Sequence, residues 1–320
     1  MENYDRLIEG YRECLVVRNF SKYTVKGNLS GLRIFGRYLQ SCGIDDVAAV
    51  NKDTLQQYQT HCYHEINDRG EPNCVGTQTN RVKAVTGFFR YLYENGLIAG
   101  DPGKDIVFAR RPKRLPRSIV SQAEMKKLLK MPDVRTVIGY RDRTMMELLY
   151  TCGLRASELL NLQLADVDYN DGFLRINAGK GNKDRVVPIG KIACRYLENY
   201  IKSVRPVLSS SRRVEGPQLT KDTQADTLFL SYTGAHLWVG TLDLLVREYT
   251  TRAGIKKKIT PHTFRHTCAT LMLRNKANIR HIQEMLGHES LDTTQLYTAV
   301  TIVDLKAVHS KCHPREQEKE

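Results

Sequence analysis

The sequence predicts a mainly α-helical protein, with a small helical N-terminal domain followed by a mostly helical domain that carries a small antiparallel β-sheet. Apolar residues recur three or four positions apart in both halves of the chain, as they do along helices. One stretch, residues 172–189, alternates on either side of a turn rich in glycine and asparagine, as a β-hairpin does. A connector between the halves, residues 106–118, contains two prolines. We therefore expect domains at residues 1–105 and 119–320, joined by a linker at 106–118.

The composition indicates a globular protein with a polyanionic partner. The chain has 320 residues, of which 41% are hydrophobic and 26% charged, and its net charge is +14. No apolar run approaches the roughly 18–20 residues of a membrane span, and the polar N-terminus does not resemble a signal peptide. We expect a cytoplasmic protein, nucleoid-associated in a bacterial host, without a membrane partner. The eight cysteines include no Cys-x-x-Cys pair, which favours reduced thiols over a disulfide framework.

The N-terminal domain shows clear helical patterns. Ser21 is a candidate N-cap, and a further helix, the third of the domain, is expected from about Thr77 to Asn95, with Gly96 as its stop signal. Basic residues lie along both segments, and the candidates for phosphate contacts are Lys22, Lys26, Arg33, Arg81 and Lys83. Residues 1–105 hold 13 basic and 13 acidic residues, so an ordinary solvated face explains these side chains equally well.

The connector concentrates positive charge. It has no acidic residue, and its five basic residues are Arg110, Arg111, Lys113, Arg114 and Arg117. Pro112 and Pro116 disfavour helix within it. An extended basic linker suits a chain that crosses a nucleic acid backbone. The alternative is a solvated linker whose charge serves solubility alone.

The C-terminal part begins with two helices and a break. Ser121 and Glu124 fit a capping box, and a helix is expected from Arg141 to Thr151, ended by Gly153. Arg155 then lies at the start of a short helix, where a cation opposes the helix dipole unless it receives an anion there. Glu158, three residues later, is either its partner or half of a plain surface pair.

The hairpin and the later helices supply further candidates. Lys180 and Lys183 lie in the hairpin turn. Thr260 and Pro261 open a helix on which His262 and Arg265 share a face. His266 is one turn beyond His262, but no glutamate follows His262, and the cluster at 61–64 lacks further ligands. We therefore expect no metal site.

Another helix is expected over Ile279–Leu286 and ends at Gly287. His288 follows directly. Residues 292–294 then cap a final segment that carries Tyr297, which taken alone would be an ordinary packing tyrosine.

Four motifs now stand in a fixed order: Gly-Leu-Arg-Ala-Ser-Glu-Leu at 153–159, Gly-Lys-Gly-Asn-Lys at 179–183, His-Thr-Phe-Arg at 262–265, and Leu-Gly-His at 286–288 followed by Tyr297. Together they resemble the tyrosine recombinase (phage integrase) family, and most closely its Xer-type site-specific recombinases. The resemblance implies a helical core-binding domain that contacts DNA and a catalytic domain after it. It assigns the catalytic residues as Arg155, Lys180, His262, Arg265, His288 and Tyr297, with Glu158 in support, and selects Lys180 over Lys183.

The family's chemistry needs these residue types. Planar guanidiniums bind the non-bridging phosphate oxygens, where charge develops during cleavage. Tyr297 would attack the phosphodiester after losing its proton to His262, Lys180 would protonate the departing 5′ oxygen, and His288 would hydrogen-bond the phosphate. A 3′-phosphotyrosine intermediate conserves the bond energy, so the resemblance implies strand exchange without a cofactor, a metal or ATP.

The resemblance also implies partners. They are double-stranded DNA and a tetramer of protomers on two duplexes, linked by a C-terminal helix near residues 300–314, with a second recombinase or accessory protein as a further possibility. One departure from the family is a polar, basic segment, residues 203–226, which is longer than in compact Xer proteins and is expected to be either a loop near DNA or disordered. Three alternatives stay open: relaxation of supercoils in the manner of a type IB topoisomerase, a DNA-binding protein with a decayed site, and a metal-dependent nuclease, for which clustered carboxylates are lacking.

Overall fold

The computed structural model describes residues 2–67, 70–110, 120–177, 184–211 and 226–287. The chain separates into two compact units, Met1–Arg114 and Leu115–Glu320, and each has an apolar core of its own. Both units are mainly helical, and a small antiparallel sheet lies in the second, which confirms the predicted fold class. Within the described ranges, none of the helices is both long and apolar enough to cross a bilayer.

Among its described residues, the first unit has four α-helices. As expected, Ser21 caps the second of them, since its hydroxyl accepts a hydrogen bond from the Thr24 amide at 3.1 Å. The helix expected from Thr77 is the fourth rather than the third, because residues 52–64 are also helical. That helix turns Leu55, Tyr58 and Cys62 into the core at helical spacing. The bounds are α1 Glu2–Val17, α2 Lys22–Ser41, α3 Lys52–His64 and α4 Val75–Glu94.

Helices α2 and α4 pack closely in this unit. A Cβ atom added to Gly31 of α2 would lie 2.9 Å from the Cβ of Ala84 on α4, so only glycine allows this approach. Phe35 of α2 and Phe89 of α4 are fully buried and meet edge to face, with 5.9 Å between ring centroids. The pair therefore forms the rigid centre of the unit.

The second unit contains a small sheet and the remaining helices. The strands are β1 Val167–Asp168, β2 Phe173–Ile176 and β3 Arg185–Pro188, and they lie in the order β1-β2-β3. Antiparallel pairing of Ile176 with Arg185 confirms the expected hairpin. The helices are α5 Gln122–Leu129, α6 Val137–Cys152, α7 Ala156–Leu160, α8 Lys191–Asn199, α9 Arg205–Ser210, α10 Val239–Arg252, α11 Pro261–Arg274 and α12 Ile279–Leu286.

Helix α6 forms the centre of the second core. It packs against α8 and α11, and its residues Met145, Leu148 and Leu149 are fully buried. Gly153 ends it in the left-handed conformation, at φ +61°, as expected. A Cβ atom on Gly153 would lie 2.6 Å from Cδ2 of Leu286, so the end of α6 touches the end of α12.

The segment at 203–226, expected to be a loop or disordered, is helical at its start. A π-helical turn, Tyr200–Val204, continues α8 and leads into α9. This helix forms because Val204 and Leu208 are buried in the core, and the Arg205 guanidinium donates to the Thr227 carbonyl at 2.7 Å. Residues 212–225 lie outside the described ranges.

Candidate active site

Arg155 lies where α6 ends and α7 begins. Its main-chain amide donates to Oε2 of Glu158 at 2.8 Å, and its guanidinium donates to Oε1 of the same carboxylate. Its Nη2 also donates to the carbonyl of Gly287 at 3.1 Å. The side chain keeps 24% of its surface exposed, so this guanidinium is fixed on one side and accessible from solvent on another.

Arg265, on α11, is the largest fully buried side chain among the described residues, with 1% exposed. Its Nη1 donates to the Gly153 carbonyl at 2.8 Å, and its Nη2 donates to the Leu286 carbonyl at 2.6 Å. The last carbonyls of a helix have no partner within the helix. Arg265 satisfies one such carbonyl beside the end of α6 and another at the end of α12, and this explains how so large a cation is accommodated in the interior.

Arg185 completes the arrangement, although the sequence did not single it out. It opens β3, and its Nε donates to the Met285 carbonyl at 2.9 Å. Three consecutive carbonyls at the end of α12 thus each accept a hydrogen bond from a different arginine. The pairs are Arg185 with Met285, Arg265 with Leu286 and Arg155 with Gly287. We call this set the arginine cap of α12.

The signal for Arg185 appears only once the buried face of β3 is known. Side chains alternate between the two faces of a strand, so Arg185 shares a face with Val187. Val187 is fully buried, whereas the intervening Val186 is 60% exposed. An arginine on the buried face of a strand needs a charged or polar partner. That requirement marks Arg185 as part of a network, but it does not identify the partner.

Glu158 joins two of these arginines. Its side chain is 5% exposed, and Arg185 donates to both carboxylate oxygens, at 3.0 and 2.8 Å. Burial alone would raise the pKa of this carboxyl. The hydrogen bonds from Arg185 and from the Arg155 amide, together with the positive charges of both arginines, outweigh this effect of burial. They lower the pKa of Glu158 to about 2. Glu158 is therefore a carboxylate at neutral pH and not a proton donor.

His262 lies in the first turn of α11, as expected. Thr260 caps this helix by accepting from the Thr263 amide at 3.3 Å, and Pro261 occupies the first position. His262 is exposed, whereas Arg265, three residues later, is buried. Burial, and then the proximity of His262, lower the pKa of His266. His266 is therefore a neutral imidazole near pH 7.

The basic candidates of the first unit fall into two groups. Lys22, Lys26 and Arg33 are exposed on α2 and lie within about 60° of one another around the helix axis. Arg81 instead pairs with Glu65 and keeps only 17% of its side chain exposed. The amino group of Lys83 lies 5.4 Å from the centre of the Phe108 ring. The α2 residues thus share one solvent-facing side, while the α4 residues have partners within the unit.

Comparison with known proteins identifies the family. The profile described as the phage integrase family matches residues 118–302. The chain belongs to the phage integrase family. Tyrosine recombinase XerC 2 of Ralstonia nicotianae is 34% identical over 98% of this chain and 87% of its own length. Tyrosine recombinase XerD of Staphylococcus saprophyticus is 33% identical over 97% of this chain and 99% of its own.

Solved structures of recombinases share the fold of this chain. The XerA recombinase shares 26% identity, with a TM-score of 0.52 over 98% of this chain and 99% of that one. XerH bound to a palindromic difH substrate shares the fold, with a TM-score of 0.71 at 20% identity over 92% of this chain and 81% of that one. The curated relatives named above are recombinases, and the topoisomerase alternative is not favoured.

Several predicted site residues lie outside the described ranges. They are Lys180, His288 and Tyr297 of the catalytic set, and Arg111, Lys113 and Arg114 of the linker, whereas Arg110 is described and exposed. Across the described ranges, no three His, Cys, Asp or Glu side chains group closely enough to hold a metal ion. The structure therefore brings together Arg155, Glu158 and Arg265 of the predicted set and adds Arg185.

Proposed function

We propose that this recombinase cuts and rejoins DNA strands at specific sites through a 3′-phosphotyrosine intermediate, without metal or ATP. The observation that carries the proposal is the arginine cap of α12. It gathers guanidiniums from β3, α7 and α11 at the residue that precedes His288. The recombinases that share a third of this sequence over nearly its whole length support the same activity.

The cap has the charge of an anion receptor. Three guanidiniums and one carboxylate give 3 − 1 = +2 around the helix end. Arg155 presents its exposed side to the phosphate. Arg265 holds its charge in place before DNA arrives, because both of its carbonyl partners belong to the folded core. Charges fixed in advance where negative charge will develop stabilise a transition state without reorganisation.

The remaining catalytic roles fall to the other predicted residues. Tyr297 attacks the phosphorus and becomes joined to the 3′ phosphate, while the 5′ oxygen leaves as a hydroxyl after accepting a proton from Lys180. His262, exposed at the start of α11, accepts the tyrosine proton. His288, which follows Gly287 in the sequence, would hydrogen-bond the phosphate. Attack by another 5′ hydroxyl then reverses the chemistry and completes the exchange.

Double-stranded DNA is the partner that the charge favours. In the first unit the exposed side of α2 supplies Lys22, Lys26 and Arg33. In the second unit a lysine patch lies at the start of α11. Its lysines come from α5 and from the loop before α11, which the 2.7 Å ion pair between Lys257 and Glu124 holds together. The patch consists of Lys126, Lys127, Lys130, Lys256, Lys257 and Lys258. We assign both surfaces to the phosphate backbone.

The assembly that strand exchange needs is a tetramer on two duplexes, alone or with a second recombinase. Two breaks in each of two duplexes require four nucleophiles, and each chain supplies one Tyr297. The linker residues Arg110, Arg111, Lys113 and Arg114 would contact the DNA backbone.

The decisive test uses suicide duplexes, nicked so that cleavage traps the protein on DNA, drawn from the sequences that flank the gene. The assay is run in excess EDTA with wild type and Tyr297→Phe. We expect a covalent protein–DNA band from wild type only, with DNA binding retained by the variant. A band that persists in Tyr297→Phe would overturn the choice of nucleophile. A band that EDTA removes would overturn the metal-free mechanism.

A further inference from the structure

Arg185 connects three elements of the second unit. It opens β3, its guanidinium donates to both oxygens of Glu158 on α7, and its Nε donates to the Met285 carbonyl on α12. Only 10% of its side chain is exposed. If Arg185 served only as a structural ion-pair partner of Glu158, its burial would be explained. Its choice of partners, Glu158 and the Met285 carbonyl, would not be explained.

Each partner of Arg185 is shared with a catalytic arginine or adjoins a group that one of them holds. Glu158 also accepts hydrogen bonds from the amide and the guanidinium of Arg155. Met285 is followed by Leu286 and Gly287, whose carbonyls Arg265 and Arg155 hold. Without Arg185, the Glu158 carboxylate would keep only Arg155 as a cationic partner, and the pair could turn together. The end of α12 would also lose one of its three caps.

Arg185 also anchors the hairpin. It pairs with Ile176 at the last pair of the ladder between β2 and β3, before the turn that contains Lys180 in the sequence. Arg185 thus belongs to the hairpin through its main chain and holds the end of α12 through its side chain, and in the sequence Lys180 lies in the hairpin turn and His288 follows α12.

We propose that Arg185 is a positioning residue for DNA cleavage. It fixes Glu158, the Arg155 guanidinium and the end of α12 in a single arrangement, and it contacts no DNA itself. The inference rests on the proposed function, because the orientation of Arg155 matters for the reaction only if Arg155 binds the scissile phosphate.

The test compares Arg185→Met with Arg143→Met. Arg143 is a matched control because it too is largely buried, at 15% exposed, and it binds a carboxylate, Glu147, and a main-chain carbonyl, that of Leu129. Its partners lie outside the arginine cap. Both variants are assayed at saturating protein, for the single-turnover rate of covalent complex formation, and separately for DNA affinity and thermal stability.

We expect Arg185→Met to lower the single-turnover rate by about 100-fold, since a small misplacement of catalytic groups costs about that much. Its DNA affinity should stay within about threefold of wild type, because Arg185 is not a phosphate contact. Arg143→Met should lose comparable stability yet cleave within about threefold of the wild-type rate. Arg185→Lys keeps the positive charge but loses the planar guanidinium that binds both carboxylate oxygens. It should therefore cleave faster than Arg185→Met but slower than wild type.

Equal rate losses in the two methionine variants, compared at equal folded fraction, would overturn the proposal. So would a loss expressed in DNA affinity alone. A wild-type protein that forms no covalent complex would count against the proposed function instead.

Hydrogen exchange in the DNA-free protein distinguishes failure of the positioning proposal from failure of the proposed function. Arg185→Met should speed exchange of the Gly287 amide, which donates to the Glu284 carbonyl at 3.0 Å, by about tenfold or more, and Arg143→Met should not. Unchanged exchange at the end of α12 would overturn the positioning role whether or not cleavage is seen.

Discussion

At the scale of single residues, the second unit contains a charged side chain that is accessible to DNA and other charged side chains that are buried and hold it in position. Arg155 keeps an exposed side, while Glu158 and Arg185 are nearly covered. A glutamate three residues after an arginine could be predicted as its partner from the sequence. The second partner, Arg185, could not, because it lies 27 positions from Glu158 and 100 from Met285, and no local pattern encodes such contacts.

Replacing Glu158 with glutamine should destabilise the protein by about 3 kcal/mol at pH 7, since it leaves two guanidiniums facing a neutral amide. The carboxyl has a pKa lowered from 4.5 to about 2. A depressed pKa stabilises the fold above the unfolded value and loses that effect as pH falls towards the folded value. The stability difference between wild type and Glu158→Gln should therefore shrink between pH 4.5 and 2, as measured by urea unfolding.

Glu124 provides the matched control. Its pKa is also lowered to about 2, chiefly by the Lys257 hydrogen bond. Its side chain is 30% exposed, however, so solvent screens the pair. Glu124→Gln should cost less than about 1 kcal/mol. Equal losses in the free energy of unfolding for Glu158→Gln and Glu124→Gln would show that burial of the Glu158 network does not add to stability.

The two predicted catalytic arginines should differ in what their loss does to the fold. Arg155→Ala and Arg265→Ala should each cost about 3–4 kcal/mol in transition-state stabilisation, or several hundredfold in cleavage rate. Arg265→Ala should also lower the free energy of unfolding by a few kcal/mol, because it uncaps the buried carbonyls of Gly153 and Leu286. Arg155→Ala should lower the free energy of unfolding by less, because Arg155 is partly exposed. Urea unfolding beside the single-turnover assay separates the two effects, and equal stability losses would contradict this division.

At the scale of elements, the ends of helices were the most predictable features. The cap at Ser21, the capping box at Ser121 and Glu124, and the left-handed Gly153 all follow from local hydrogen bonding and backbone sterics. The helix at 52–64 was missed because it carries few apolar residues. The helical start of the 203–226 segment was missed because burial of Val204 and Leu208 outweighs its polar composition.

Replacing Gly153 with alanine should test the contact between α6 and α12. A Cβ atom there would lie 2.6 Å from Leu286 Cδ2, and φ is +61°. We expect a loss of about 3 kcal/mol, the sum of backbone strain and overpacking. Gly43→Ala isolates the first term, because φ there is +68° and nothing lies within 4 Å of the added atom. That control should cost about 1 kcal/mol in urea unfolding. Equal costs would mean that Leu286 moves aside freely.

At the scale of the whole molecule, charge could be predicted but its distribution could not. The net charge of +14 indicates a polyanionic partner, yet composition does not say which basic residues face solvent together. Helical geometry groups Lys22, Lys26 and Arg33, whereas Arg81, drawn from the same sequence pattern, is an internal ion-pair partner. The zero net charge of the first domain hid this grouping.

The variant Lys22→Ala, Lys26→Ala, Arg33→Ala should weaken DNA binding and reduce the slope of log affinity against log salt by about 3. Its single-turnover rate at saturating protein should match wild type, because the second unit is untouched. The control replaces Arg12, Arg18 and Arg90, each of which lies near an acidic partner. An equal change of slope in the control would show that overall charge alone, and not the α2 side, sets the affinity.

The arginine cap constrains the length of the chain as well as its chemistry. The three carbonyls are successive, and each residue of a helix turns by about 100° from the last. One residue inserted into or deleted from α12 would swing Met285, Leu286 and Gly287 away from all three guanidiniums together. We therefore expect Ile279–Gly287 to tolerate many substitutions on its exposed side but no change of length, a property that a library of single-residue insertions and deletions would reveal.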